Sequence, residues 1–298
     1  MSTRPLPFLL SVALVDDSPR PDAARWLAAA RAAEDAGLDF VTLDAGPADA
    51  VLVAAGVAAR TSRIGLLPVA PATTTEPFHV STAIATVDFA ARGRAGWVAA
   101  VLPAAEAQGL VTWPVPADVH ADAAEHIEAV RALWDSWEDG AVIRDAATAR
   151  FLDRSAVHHV HLRGEHIAVR GPSITPRPPQ GHPPVAVRVA GPGDLQLAQK
   201  RADLLFADGA AAPPDAPGIV RIAELEAGPE LGARAAHADA AGFDGVLVHA
   251  RSDDEVAGAI TALGPLAAAR DGQLAPATLR ERLGLGPASN RFGAGRPS

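Results

Sequence analysis

The sequence predicts an α/β fold in which eight parallel strands close into a (β/α)8 barrel, the TIM barrel. Short β-branched and apolar runs alternate with longer, Ala-rich amphipathic segments, as repeated βα units require. About eight such strands can be counted. A chain of 298 residues that is 49% hydrophobic can bury the core of one barrel. An open, doubly wound sheet is the alternative that the same alternation allows.

The first part of the chain contains four predicted βα units. Pro21 suits the first turn of the first helix, and Gly37 suits its C-terminal cap. The predicted strands cover residues 8–14, 39–43, 64–69 and 94–102. The predicted helices cover residues 21–36, 48–59, 77–91 and 118–137.

Residues from about 138 to 184 interrupt this alternation. They contain several prolines, closely spaced histidines and short alternating runs at 159–162 and 166–169, a pattern typical of a β-hairpin. We therefore expect a hairpin-containing insertion after the fourth helix.

The barrel pattern then resumes and continues to the last predicted helix. Strands are predicted at residues 185–190, 203–207, 218–226 and 245–249, with helices ending near residues 201, 241 and 269. The connection 208–217 is short and rich in Pro and Ala, so one outer helix should be missing. In this interpretation residues 1–292 form a single domain, and residues 293–298 are a disordered tail.

Composition excludes several classes of function. A net charge of −9 with dispersed basic residues argues against a nucleic-acid-binding face and against a polybasic membrane patch. The apolar stretch near the N-terminus is too short to span a bilayer, so a cytoplasmic location is the default expectation. The chain has no cysteine, and its clustered histidines (158, 159, 161 and 166) match no zinc signature, so no metal site is predicted.

In a barrel, binding and catalytic groups lie in the loops that follow the carboxyl ends of the strands. The loop after the third predicted strand contains Thr73, Thr74 and Thr75, whose hydroxyls could bind the polar edge of a planar heterocycle. The same threonines could instead only cap the helix that begins at Pro77.

A second candidate segment, residues 191–194 (GPGD), lies between a strand and a helix. The free N–H groups of a helix N-terminus can bind a phosphate, although Asp194 would occupy or repel that site, and a plain turn is the alternative. Arg188 lies in an apolar strand run. It either points into the barrel, where it needs an anionic partner, or lies at the strand end in solvent.

Several segments are similar to the luciferase-like flavin monooxygenases, most closely to the branch of nitrilotriacetate and dibenzothiophene-sulfone monooxygenases. The similarity is carried by residues 73–79 (TTTEPFH), 85–88 (ATVD) and 93–97 (GRAGW). It continues in residues 133–139, 163–166, 169–172, 176–181, 278–280, 283–285 and 290–292. The chain is therefore identified as a short, divergent member of that family.

The resemblance implies a barrel that binds reduced FMN, or in some branches the deazaflavin F420, and oxygenates a small organic substrate with O2. A separate flavin reductase and a homodimer are also implied. The cofactor-binding residues carried over from the family are Asp44, Thr73, Thr74, Trp97, Arg188, Gly191 and Gly193, and no catalytic residue is assigned.

The sequence also departs from the family pattern where flavin contacts are expected. Val98, Val101 and Leu102 stand where polar residues are usual, and Pro192 and Gly193 replace the polar residues of the phosphate turn. Three functions therefore remain open: a monooxygenase that uses reduced FMN, a barrel without flavin that serves as a binding or partner subunit, and an F420-dependent oxidoreductase.

Overall fold

The computed structural model of the protein describes residues 7–16, 22–46, 48–270 and 278–293. The first strands are β1 (Leu9–Val15), β2 (Phe40–Asp44), β3 (Gly65–Pro71) and β4 (Trp97–Ala100). The helices of this part are α1 (Ala23–Asp35), α2 (Ala50–Ala58), α3 (Pro77–Ala90), α4 (Ala104–Leu110) and α5 (Val119–Asp135). Helix α4 was not predicted, and Pro21 and residues 294–298 lie outside the described residues.

The insertion and the second part of the barrel follow. The insertion contains β5 (Val142–Asp145), β6 (Arg150–Leu152), β7 (Leu162–Arg163) and β8 (Ala168–Val169). The remaining strands are β9 (Val185–Val189), β10 (Leu204–Asp208), β11 (Val220–Glu226) and β12 (Gly245–Ala250). The remaining helices are α6 (Pro192–Arg201), α7 (Leu231–Ala241), α8 (Asp253–Ala268) and α9 (Leu279–Arg282).

The sheet is a closed, parallel barrel. The eight strands β1 to β4 and β9 to β12 pair in sequence, and β1 pairs with both β2 and β12, which closes the ring. The predicted barrel is therefore confirmed, and the alternative of an open sheet is wrong. Two antiparallel hairpins, β5–β6 and β7–β8, form in the insertion where one was predicted. No helix lies between β10 and β11, as the short connection predicted.

Apolar side chains fill the inside of the barrel, and α9 covers its amino-terminal end. Phe40 and Phe206 stack across the interior with ring centroids 6.4 Å apart. Leu279 of α9 belongs to the same buried cluster, and a Cβ at Gly65 or Gly96 would lie 2.8 Å or 3.2 Å from its methyl carbons. Because this end is closed by packed side chains, the carboxyl ends of the strands form the open end.

The family-like motifs around Asp88 and Gln180 hold this scaffold together. Asp88 accepts hydrogen bonds from the Ala95 amide (3.1 Å) and from the Gln180 side chain (2.6 Å). Gln180 in turn accepts from the backbone N–H of Arg280 at 2.8 Å. Burial raises the pKa of Asp88 to about 6, against the effect of the Gln180 hydrogen bonds. These motif residues therefore join α3, β4, the end of the insertion and α9, and they have a structural role.

No helix among the described residues is long and apolar enough to cross a membrane.

A buried carboxylate on α1 gives the fold a defined dependence on pH. Burial alone would raise the pKa of Glu34, but hydrogen bonds from Ile64, Arg63 and Ser62 outweigh it and lower the pKa to about 2. Since the ordinary value is 4.5, the ionised Glu34 stabilises the fold above pH 4.5, and this contribution is lost as the pH falls towards 2.

We expect Glu34→Gln to lower the free energy of unfolding at pH 7 by about 1–2 kcal/mol, because buried N–H donors lose a charged acceptor. It should also flatten the decline in stability between pH 4.5 and 2. Chemical denaturation across this range measures both effects, with the exposed neighbour Asp35→Asn as control. An unchanged pH slope in Glu34→Gln would show that this carboxylate does not carry the effect.

Candidate active site

A chamber of about 840 Å³ opens at the carboxyl ends of β2, β3, β4 and β9. This volume lies in the range of pockets that bind cofactors or small organic molecules. Apolar side chains form its walls, including Val69, Val98, Ala100 and Leu102. Its polar lining residues are Asp44, Asp49, Thr75, His79, Glu106, Arg188 and Asp194.

The apolar wall follows from the alternation of side chains along β4. Val98 belongs to the barrel interior, so Ala100 and Leu102 point the same way at the strand end, where they line the chamber. Trp97 points to the opposite face. It is fully buried, its Nε1 donates to the Ala70 carbonyl (3.0 Å), and its ring centroid lies 5.7 Å from that of His126. Trp97 therefore supports the wall from behind and does not line the chamber.

The threonines of the β3–α3 loop have separate positions. Thr73 is buried, and its Oγ1 accepts a hydrogen bond from the Leu102 amide at 3.3 Å, which fixes the end of β4 to the loop. Thr74 is half-buried and does not line the chamber, whereas Thr75 does. Of the residues carried over from the family, only Asp44 and Arg188 line the chamber directly.

Arg188 points into the mouth of the barrel, where it has the anionic partner that the first of its two interpretations requires. Its Nε donates to Oε1 of Glu224 at 2.7 Å, and the same oxygen lies 3.0 Å from Nε2 of His249. Burial would raise the pKa of Glu224, but hydrogen bonds and charge from His249 and Arg188 lower it. An ionised carboxylate only accepts hydrogen bonds, so Nε2 of His249 carries the proton.

This cluster of Arg188, Glu224 and His249 borders a second cavity of about 680 Å³ over β9 to β12. Arg188 and Ala190 line both cavities, so the two adjoin at the end of β9. Sequence reasoning did not identify Glu224 and His249. The available signal was their position: each is a polar residue two places after an interior apolar residue, Ile222 or Leu247, near the carboxyl end of a strand.

The N-terminus of α6 is occupied by a side chain of the same helix. The Asp194 carboxylate accepts from the backbone N–H groups of Ala190 and Gly191, both at 3.0 Å. Its other oxygen lies 2.9 Å from Nε2 of His120, on α5. The N–H groups that a phosphate would use at this turn are thus already bonded to a carboxylate.

The sequence profile described as luciferase-like monooxygenase matches residues 6–228. The chain belongs to this family. It is also 35% identical over 275 residues to a component of the pristinamycin IIA synthase of Streptomyces pristinaespiralis, covering 88% of this chain and 89% of that protein. Nitrilotriacetate monooxygenase component A of Aminobacter aminovorans is 37% identical over 155 residues, which are 51% of this chain but only 34% of that protein.

Solved structures agree with this fold. DmoA from Hyphomicrobium sulfonivorans superposes with a TM-score of 0.77 at 17% identity, covering 93% of this chain and 92% of that one. The EDTA monooxygenase EmoA from Chelativorans sp. BNC1 gives 0.74 at 16% identity, covering 94% and 99%. The family resemblance is therefore confirmed. The relatives are named monooxygenases, and the family typically depends on reduced flavin, which makes a flavin-dependent monooxygenase the enzyme class of this chain.

The residues present fit the ring system of a flavin better than its phosphate. The chamber offers apolar walls and two polar groups, Asp44 and Arg188, at a size that admits a tricyclic ring. The N-terminus of α6 does not fit a phosphate, because Asp194 already holds its amides.

Proposed function

We propose that this chain is a monooxygenase that uses reduced FMN and O2 to oxygenate a small organic substrate. The observation that carries the proposal is the chamber at the carboxyl end of the barrel, with apolar walls and few polar groups. Such a site suits a planar cofactor whose reaction with O2 must be kept away from water.

Val69, Ala100 and Leu102 would contact the faces of the ring, and Asp44 would lie at its edge. Reduced flavin supplies the two electrons that, with O2, put one oxygen atom into the substrate and release the other as water. Thr73 and Trp97 act indirectly, since they hold the loop and the strand from which Leu102 and Ala70 line the chamber.

The second cavity would hold the substrate beside the flavin ring. Nε2–H of His249 bonds to Glu224, which leaves Nδ1 as the ring nitrogen without a protein partner among the described residues. Nδ1 can therefore accept a proton, and the Glu224 carboxylate would stabilise the imidazolium that results. Arg188, between the two cavities, donates through Nε to Glu224 and can direct its terminal nitrogens to an oxygen of the ligand.

The expected partners rest on relatives. One relative is named component A of a monooxygenase, which supports a separate reductase that supplies reduced flavin to this chain. A homodimer and a cytoplasmic location are further proposals from the family resemblance. F420 in place of FMN is the alternative cofactor, since an F420-dependent reductase shares the fold with a TM-score of 0.64 at 14% identity.

Anaerobic titration of the purified protein with FMN, reduced FMN and F420 tests this proposal. A ligand at 100 times its dissociation constant stabilises the native state by about 2.7 kcal/mol, which raises the melting temperature. We expect the largest shift with reduced FMN. A larger shift with F420 would change the cofactor. No shift with any of the three would contradict flavin dependence of the isolated chain.

A second candidate function is that of a partner protein in a two-chain monooxygenase. Two observations favour it: Asp194 fills the phosphate turn, and the relative that matches along nearly its whole length is named as one component of a multi-chain synthase. In that case the isolated chain binds no flavin in the titration above.

A further inference from the structure

The carboxylate at the N-terminus of α6 is held on three sides. Asp194 accepts two backbone N–H groups through one oxygen and the His120 ring N–H through the other, and its side chain is only 19% exposed. An ionised carboxylate at this position satisfies the free amides and the helix dipole as an external anion would. The position is thus filled by a group of the same charge sign as a phosphate.

Gly193 belongs to the same arrangement. A Cβ at this position would lie 2.6 Å from Cε1 and 2.8 Å from Nδ1 of His120. The lack of a side chain therefore admits the histidine that binds Asp194, and the space beside the turn is taken by that ring. Gly193, which by sequence could have served the close approach of a phosphate, here serves a contact within the chain.

The charges around the chamber act in the same direction. Four carboxylates line it (Asp44, Asp49, Glu106 and Asp194), against the single guanidinium of Arg188. Arg188 is itself paired with Glu224 at 2.7 Å. A phosphate dianion would meet net repulsion here, whereas the ring of a flavin would not.

We propose that Asp194, positioned by His120, is a specificity-determining residue that takes the place of the cofactor phosphate. This inference rests on the proposed function, in which the flavin ring occupies the chamber. It follows that the chain recognises a flavin by its ring and does not distinguish FMN from riboflavin. Removing the carboxylate opens the amides of Ala190 and Gly191 to the phosphate of FMN.

Anaerobic calorimetric titration with reduced FMN and reduced riboflavin tests the inference in three proteins: wild type, Asp194→Ser and Asp22→Ser. Asp22 caps α1 as Asp194 caps α6, so it is a matched control outside the site. In the wild type, the two dissociation constants should agree within about threefold. In Asp194→Ser, FMN should bind at least about tenfold more tightly while riboflavin is unchanged, because charge-assisted hydrogen bonds to phosphate become available. Asp22→Ser should behave as wild type.

The inference is overturned if the wild type prefers FMN by about tenfold or more, or if folded Asp194→Ser shows no gain for FMN. If Asp194→Ser does not fold, Asp194→Asn keeps the shape of the cap without its charge, and the same direction of change is required. A wild type that binds neither flavin contradicts the proposed function alone. In that case a gain of FMN binding in the variant supports the role of Asp194, and no gain overturns it.

Discussion

Ala100→Trp is expected to abolish flavin binding and to leave the barrel folded. Ala100 lies at the end of β4, where its half-buried side chain lines the chamber. An indole at this position would fill the space between the apolar walls, and the open mouth would allow it to be accommodated without compressing the core. The affinity for reduced FMN should fall at least about a hundredfold, and the melting temperature without ligand should change little.

Ala147→Trp is the matched control, because Ala147 is exposed in the turn between β5 and β6, away from the chamber. The same substitution there should leave flavin affinity unchanged. Anaerobic titration measures the affinities, and circular dichroism confirms the fold. If Ala100→Trp binds reduced FMN as well as wild type does, the flavin lies elsewhere.

Trp97→Ala is expected to destabilise the fold by about 3–5 kcal/mol, the usual cost of removing a large buried aromatic side chain. Trp97 is fully buried, and its removal leaves the Ala70 carbonyl without its donor and the His126 ring without its neighbour. Trp97→Phe keeps much of the aromatic packing but loses the hydrogen bond, so its cost should be about 1–2 kcal/mol.

Chemical denaturation measures these costs, and Trp113→Ala provides a control with the same loss of side chain at a position that is 44% exposed. That variant should stay within about 0.5 kcal/mol of wild type. Because Trp97 does not line the chamber, folded Trp97→Phe should bind reduced FMN within about threefold of wild type. A stable Trp97→Phe that has lost flavin binding would instead place the indole in contact with the flavin.

The barrel could be predicted because each strand and helix carries its own periodic pattern. The missing helix between β10 and β11 followed from the length and composition of residues 208–217, which are local properties. Helix α4 was missed because it is short and begins after Pro103, whose side chain makes no cap hydrogen bond. The insertion forms two hairpins because residues 142–152 also pair, although their alternation is weak.

The site was less predictable because its contacts join residues far apart in sequence. The direction of Arg188 depends on Glu224, 36 residues away, and the state of Asp194 depends on His120, 74 residues away. The family motifs were also ambiguous by sequence alone. Trp97 lies behind the chamber, and Thr73 acts through the amide of Leu102. A strand's carboxyl end identifies the region of a site, but only the packed structure identifies the residues that line it.

An anaerobic crystal structure of the protein grown with excess reduced flavin would show directly where the cofactor binds. We expect the ring to lie in the chamber between Val69 and Leu102, with Asp44 at its edge and the Asp194–His120 contact intact. A ring bound outside this chamber, or a flavin phosphate on the amides of Ala190 and Gly191 with Asp194 displaced, would contradict the proposed mode of flavin recognition.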